Sequence, residues 1–278
     1  RELFQLAKAG RLQDPKTLGG QVKRMLQDPK AIALTENVAG QWLQLRSLTE
    51  IVPNARQYPT FDDELSSAMR TETELFFETV LREDRGLGDF LDGGFTYVNE
   101  KLASHYGILG IEGPQFRRVS LTGDQRSGIV TQASVLLLSS YPTRTSPVLR
   151  GKWILDNILG TPPPDPPPNV PALEDSKTSA RVATMRERMS AHRDNPVCAA
   201  CHSMIDPAGF ALEGFDAIGR FRVVDQWFNP IDTSGALPDG TAFDGAAQLR
   251  VARVRAAEAV VRPEVGLPLV EVPVAVGN

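Results

Sequence analysis

T-P-P-P-D-P-P-P-N-V-P, residues Thr161 to Pro171, carries six prolines in its first eight positions. Proline fixes φ and lacks a backbone N–H, so neither a helix nor a sheet ladder can run through such a stretch. It predicts an extended polyproline II strut. Proline strings also dock into aromatic grooves of partner modules, but with globular patterns on both sides a linker is the better reading. The strut predicts a helical domain over 1–160, a linker over 161–171, a smaller domain over 172–247 and an atypical tail over 248–278.

Upstream of the strut the chain reads as a run of helices. Asp62, Asp63 and Glu64 form the acidic first turn of a helix whose Leu65, Met69, Phe76 and Val80 share one apolar face, ending in R-E-D-R-G-L-G. Val22, Met25 and Leu26 mark an earlier helix, and Ile32 to Leu48, with Trp42, marks another. Thr96 is expected to cap a short helix ending at Gly107. Ser146-Pro147 opens one that runs through Trp153 to Gly160. Few strands are needed, and the fold class is mainly α.

Downstream, Ser176 is expected to start a helix in which Val182, Met185, Met189 and His192 recur on one face. C-A-A-C-H follows, Cys198 to His202, and holds both cysteines of the chain beside one of its three histidines. Two thiolates one helical turn apart can add to the two vinyl groups on one edge of a porphyrin while the adjacent imidazole coordinates the iron. The spacing is that of c-type haem attachment. Zinc would need a second Cys/His pair, which is missing. A dithiol redox motif expects a strand before it, where this chain has H-R-D-N-P-V; a disulfide between Cys198 and Cys201 stays open as the alternative. The smaller domain is therefore expected to be cytochrome c-like, with one covalent haem c.

Composition fits a folded protein. The 278 residues, 41% hydrophobic, can bury one large or two ordinary cores. The formal net charge of -4 gives no electrostatic case for nucleic acid, and no window offers the ~18 apolar residues of a membrane span. The chain opens on Arg1 inside a helical pattern, so it is expected to be a piece of a longer protein with a signal peptide upstream.

Several stretches carry a family resemblance: F-T-Y-V-N-E-K-L-A-S-H-Y-G-I (Phe95 to Ile108), Q-A-S-V-L (Gln132 to Leu136), R-T-S-P-V-L-R-G-K-W-I-L (Arg144 to Leu155), P-P-P-D-P-P-P-N-V-P-A-L (Pro162 to Leu173) and H-R-D-N-P-V-C-A-A-C-H-S-M-I-D-P-A-G-F-A-L-E-G-F-D-A-I-G-R-F-R (His192 to Arg222). The chain, to about Leu249, resembles the consecutive domains of unknown function in planctomycete-type cytochrome c proteins. The resemblance implies a large exported protein with further domains on either side, in which C-x-x-C-H attaches haem c. After Leu249 the chain departs from that pattern.

Haem attachment gives Cys198 and Cys201 the role of thioether anchors and His202 that of proximal iron ligand. It also implies a periplasmic or otherwise exported location, since such attachment is done outside the cytoplasm. The sixth iron position decides function. Met204, two residues past His202 on a helix, points about 200° away from it. His192 can reach across the ring, six extended residues covering ~20 Å, and Met185 or Met189 can do so if their helix lies over the haem; the alternative is that the methionines are ordinary core and His192 caps or bonds a nearby turn. His105 belongs to the helical domain. Arg144, Arg150 and Lys152 form a basic cluster in which Arg144 and Arg150 are candidate partners for the haem propionates, a solvated basic face or a salt bridge to one of the many carboxylates being the alternative. Asp232, Asp239 and Asp244 lack the spacing of a calcium loop and read as plain loop. The function read is periplasmic electron transfer with a redox partner protein. A peroxidase-type haem enzyme with an open sixth position, and a binding or scaffold module with a secondary haem site, are the alternatives.

Overall fold

A computed structural model describes residues 1–123, 125–165, 183–237 and 240–250 of the protein. It is mainly α-helical, as the sequence predicts, with three small two-stranded antiparallel sheets among the described residues. Helices α1 (Glu2–Lys8) and α2 (Pro15–Gln27) come first. Asp14 caps α2 by accepting from the Thr17 amide at 2.9 Å, and Pro15 takes the first position, where its missing N–H is harmless. Val22 and Met25 face solvent on this helix.

The single helix expected over Ile32 to Leu48 is divided. Short turns α3 (Ile32–Leu34) and α4 (Gly40–Trp42) flank a π-helical turn, Thr35–Ala39, and Gln44 then adopts φ 60 ahead of a 3-10 segment, Leu45–Glu50. A straight helix puts residues 43 and 45 on opposite faces. With the break, Leu43, Leu45 and Leu48 are all buried. Helix α5 (Asp63–Arg82) follows the prediction: Asp62 accepts from the Leu65 amide at 2.8 Å, and Leu65, Met69, Phe76 and Val80 are buried. Phe76 and Phe77 pack against Phe90 of α6 (Asp89–Asp92).

Thr96 does not cap a helix. It lies in strand β1 (Phe95–Val98), paired with β2 (Arg117–Ser120), and its hydroxyl donates to Glu72 at 2.5 Å. The cap of α7 (Glu100–Tyr106) is Asn99, accepting from the Leu102 amide at 3.0 Å, and Gly107 ends the helix at φ 74 as predicted. The buried α8 (Ala133–Leu138) leads into the hairpin β3 (Ser140–Tyr141) and β4 (Arg144–Thr145). Ser146 caps α9 (Pro147–Trp153), which continues as a π-helical turn, Ile154–Ile158, before Gly160.

Thr161 to Asp165 have no regular structure; the remainder of the strut and the expected helix start at Ser176, with Val182, lie outside the described residues. The helix that carries Met185, Met189 and His192 is α10 (Met185–Arg193). It opens at Thr184, whose capping box with Glu187 satisfies two orphan amides. Helix α11 (Pro196–Phe210) carries C-A-A-C-H and lies against α9 at backbone contact. A Cβ on Gly151 would fall onto the Ile205 carbonyl, and one on Gly209 onto that of Pro147. The stretch read as loop from Asn229 to Gly245 contains the hairpin β5 (Ser234–Ala236) and β6 (Ala242–Asp244). One buried apolar cluster takes in Leu65, Phe76 and Leu136 from before the strut and Leu212, Phe215, Ile218 and Phe243 from after it. Residues 251–278, most of the atypical tail, lie outside the described residues.

Candidate functional site

Helix α11 places Cys198, Cys201 and His202 within about one turn and a half. Both thiols are free and half-buried, and the His202 ring is half-buried beside them. One turn further on, Asp206 lies on the same face as His202, because residues four apart on a helix stack. Its Oδ1 accepts from His202 Nδ1 at 2.8 Å. That bond leaves Nε2 as the ring nitrogen without a protein partner among the described residues. Asp206 is fully buried and, among the described residues, its Oδ2 has no hydrogen-bond donor; Arg193 Nε is 3.9 Å from that oxygen. Burial pushes the Asp206 carboxyl up from its ordinary range, although the bond from His202 acts the other way.

A metal-bound imidazole ordinarily gives its second nitrogen to a carboxylate or carbonyl, which fixes the tautomer and aims the other nitrogen. His202 has that arrangement. Among the described residues no group of three or more Cys, His, Asp or Glu side chains is placed to hold a bare metal ion. A haem iron brings four ligands of its own and needs one imidazole here, with two thiols beside it, so the residues present fit the group.

The candidates for the sixth position come together on α10, which packs along α11. The His192 ring touches that of His202, with centroids 4.9 Å apart and planes at 76°. Rings in van der Waals contact leave no space for an iron and a porphyrin plane between them. As placed, His192 is a neighbour of the His202 ring. Met189 is buried, whereas Met185 is half-buried with its sulfur 3.9 Å from Arg188 Nη2. Met204 is exposed.

The two arginines expected at propionates differ. Arg150 is fully buried, and its terminal nitrogens donate to the carbonyls of Leu212, Phe215 and Asp216, to Ser140 Oγ and, at 3.4 Å, to Glu213. Burial lowers its pKa to about 10. These bonds tie the chain after α11 to α9, so the Arg150 guanidinium is engaged within the protein and not on an open basic face. Arg144 is half-buried, stacked at 4.6 Å over the Tyr141 ring and bonded to the Thr145 carbonyl. With Met185, Phe210 and Trp227 it lines a cavity of about 250 Å3. Lys152 pairs with Asp156 at 2.8 Å.

Outside the site, His105 is buried in the helical region, as expected, and bonds the Ile218 carbonyl at 2.7 Å; burial lowers it to about 4. Asp232 pairs with Arg186 at 2.7 Å and Asp244 accepts from Thr233, while Asp239 lies outside the described residues. Sequence reasoning missed Asp206. Its signal was legible as H-x-x-x-D on a helix, the spacing that lets a carboxylate reach back to an imidazole.

Residues 1–108 match the family model PSD4, a protein of unknown function (DUF1592), and residues 126–225 match PSCyt3, a protein of unknown function (DUF1588). Both are domains of unknown function found in planctomycete-type cytochrome c proteins. The second match runs through the proline string and includes C-A-A-C-H. No curated protein and no solved structure matches the chain.

Proposed function

We propose that this chain is part of an exported c-type cytochrome that transfers electrons through a single haem attached at Cys198 and Cys201. The observation that carries this reading is His202, whose Nδ1 is held by Asp206 and whose Nε2 is left open one turn from two free thiols. Bound there, the haem supplies a one-electron iron couple. Each thiol adds across one vinyl group, sulfur to one carbon and hydrogen to the other, so no atom is lost in attachment. Arg144, half-buried in the cavity that Met185 also lines, is the arginine we assign to a propionate, and the exported location follows from where such attachment is carried out. No described helix is long and apolar enough to cross a membrane. The redox partner is then a protein met at the haem edge.

A second reading, a haem enzyme of peroxidase type, draws on the contact between His192 and His202, which takes the imidazole of α10 away from the opposite face. Carbon monoxide and cyanide separate the two. An electron carrier with a sixth ligand from His192, Met185 or Met189 binds them only after a slow displacement, and His192→Ala or a Met→Ala variant abolishes that slow phase. Rapid binding to the unaltered protein assigns the open site and removes the simple carrier.

A further inference from the structure

We propose that Asp206 acts through His202 as a positioning residue that lowers the reduction potential of the iron held there. The inference rests on the haem reading above. Asp206 is fully buried, its Oδ1 is 2.8 Å from His202 Nδ1, and among the described residues its Oδ2 receives no hydrogen bond. A carboxylate taken out of water with one oxygen unsatisfied costs stability, and such a group persists where packing holds it in place for another purpose.

The packing here is the tightest between the two helices: Ile205 abuts Gly151, and Gly209 abuts Pro147, on either side of Asp206 along α11. The backbone that carries the carboxylate is therefore held against α9, the kind of rigid support that precise orientation needs. Two consequences follow. The Nδ1–H tautomer is enforced, so the Nε2 lone pair faces outward for a metal. The negative charge, with Arg193 Nε at 3.9 Å and Arg186 and His192 also in its field, raises the electron density of the ring in a low-dielectric setting. A more electron-rich imidazole favours ferric over ferrous iron, where a neutral carbonyl partner would do so less. The result is a couple suited to giving electrons away.

The test is redox titration of the haem-loaded chain beside Asp206→Asn, Asp206→Ser and Asp206→Glu, with loading checked by intact mass. Asn keeps the shape and an acceptor oxygen, and Ser removes the charge by a different route should Asn not fold. Both neutral variants are expected to favour reduction at least tenfold, a rise of about 59 mV for one electron. Glu, which retains the charge, should recover most of the original potential. A potential unchanged in a fully loaded neutral variant would overturn the role of Asp206 and leave haem attachment standing. Absence of haem from the unaltered chain would overturn both.

Discussion

At the scale of the residue, Glu72 is the side chain whose protonation matters most to the fold. It is buried in α5 and accepts from Thr96 Oγ1 at 2.5 Å and Tyr106 Oη at 2.6 Å. Burial outweighs both bonds and raises its carboxyl from 4.5 to about 7. Between those values the folded chain holds a proton that the unfolded chain has lost. Stability from this group is present below the unfolded value and falls by ~1.4 kcal/mol per pH unit through the window, roughly 3 kcal/mol in all. His105 works in the opposite sense. Its value drops from 6.5 to about 4 on burial, so its contribution is present above 6.5 and is lost as pH falls toward 4. The two slopes oppose each other where the windows overlap. Glu72→Gln removes one of them: its amide oxygen still accepts from one neighbouring hydroxyl, and the other can turn to accept from the new NH2. We expect the stability of the variant relative to the parent, measured by urea unfolding, to grow steadily from pH 4.5 to 7 and then level off. Parallel curves would show that Glu72 is ionised in the fold. At this scale the sequence was partly legible. F-T-Y-V reads as a strand by its β-branched and aromatic residues, which is why Asn99 and not Thr96 ends up as the cap. The fate of Arg150 was not legible, because five acceptors converge on it only when the chain after α11 folds back.

At the scale of the element, the crossing of α9 and α11 decides whether the cysteines and His202 are presented at all. Gly151 and Gly209 allow the two backbones to touch, and neither position has space for a methyl group. Gly209→Ala is expected to destabilise by at least about 1–3 kcal/mol, the usual cost of overpacking a site that cannot give. Gly19→Ala, in α2 with nothing near the added methyl, should instead stabilise by about 0.5–1 kcal/mol through helix propensity. Thermal unfolding of the two variants compares them directly, and equal midpoints would contradict the crossing. Caps at Ser146 and Gly107 could be read in advance because each is a local signal, and Asp62, expected in the acidic first turn, proves to be the cap before it. The break at Gln44 could not. Its left-handed backbone answers the burial of leucines at three positions that no single helix face accommodates.

At the scale of the whole molecule, residues on both sides of the proline string contribute to one buried cluster, and His105 and Arg150 tie the earlier helices to the chain after α11. Periodicity finds apolar faces but does not say which faces meet, so this continuity was out of reach of the sequence. The candidate motif was legible for the opposite reason: C-A-A-C-H is local, and the chemistry proposed for it depends on spacing along one helix. The partner at Asp206 joins that local unit, and the fold around it supplies burial and rigidity. The central claim is that this helix carries a covalent haem, and intact mass tests it most directly. The chain is produced in the periplasm together with cytochrome c maturation factors. Our account predicts an increase on the order of 600 Da for one haem, lost in Cys198→Ala/Cys201→Ala. An unchanged mass, or one lighter by the two hydrogens of a Cys198–Cys201 disulfide, would contradict it.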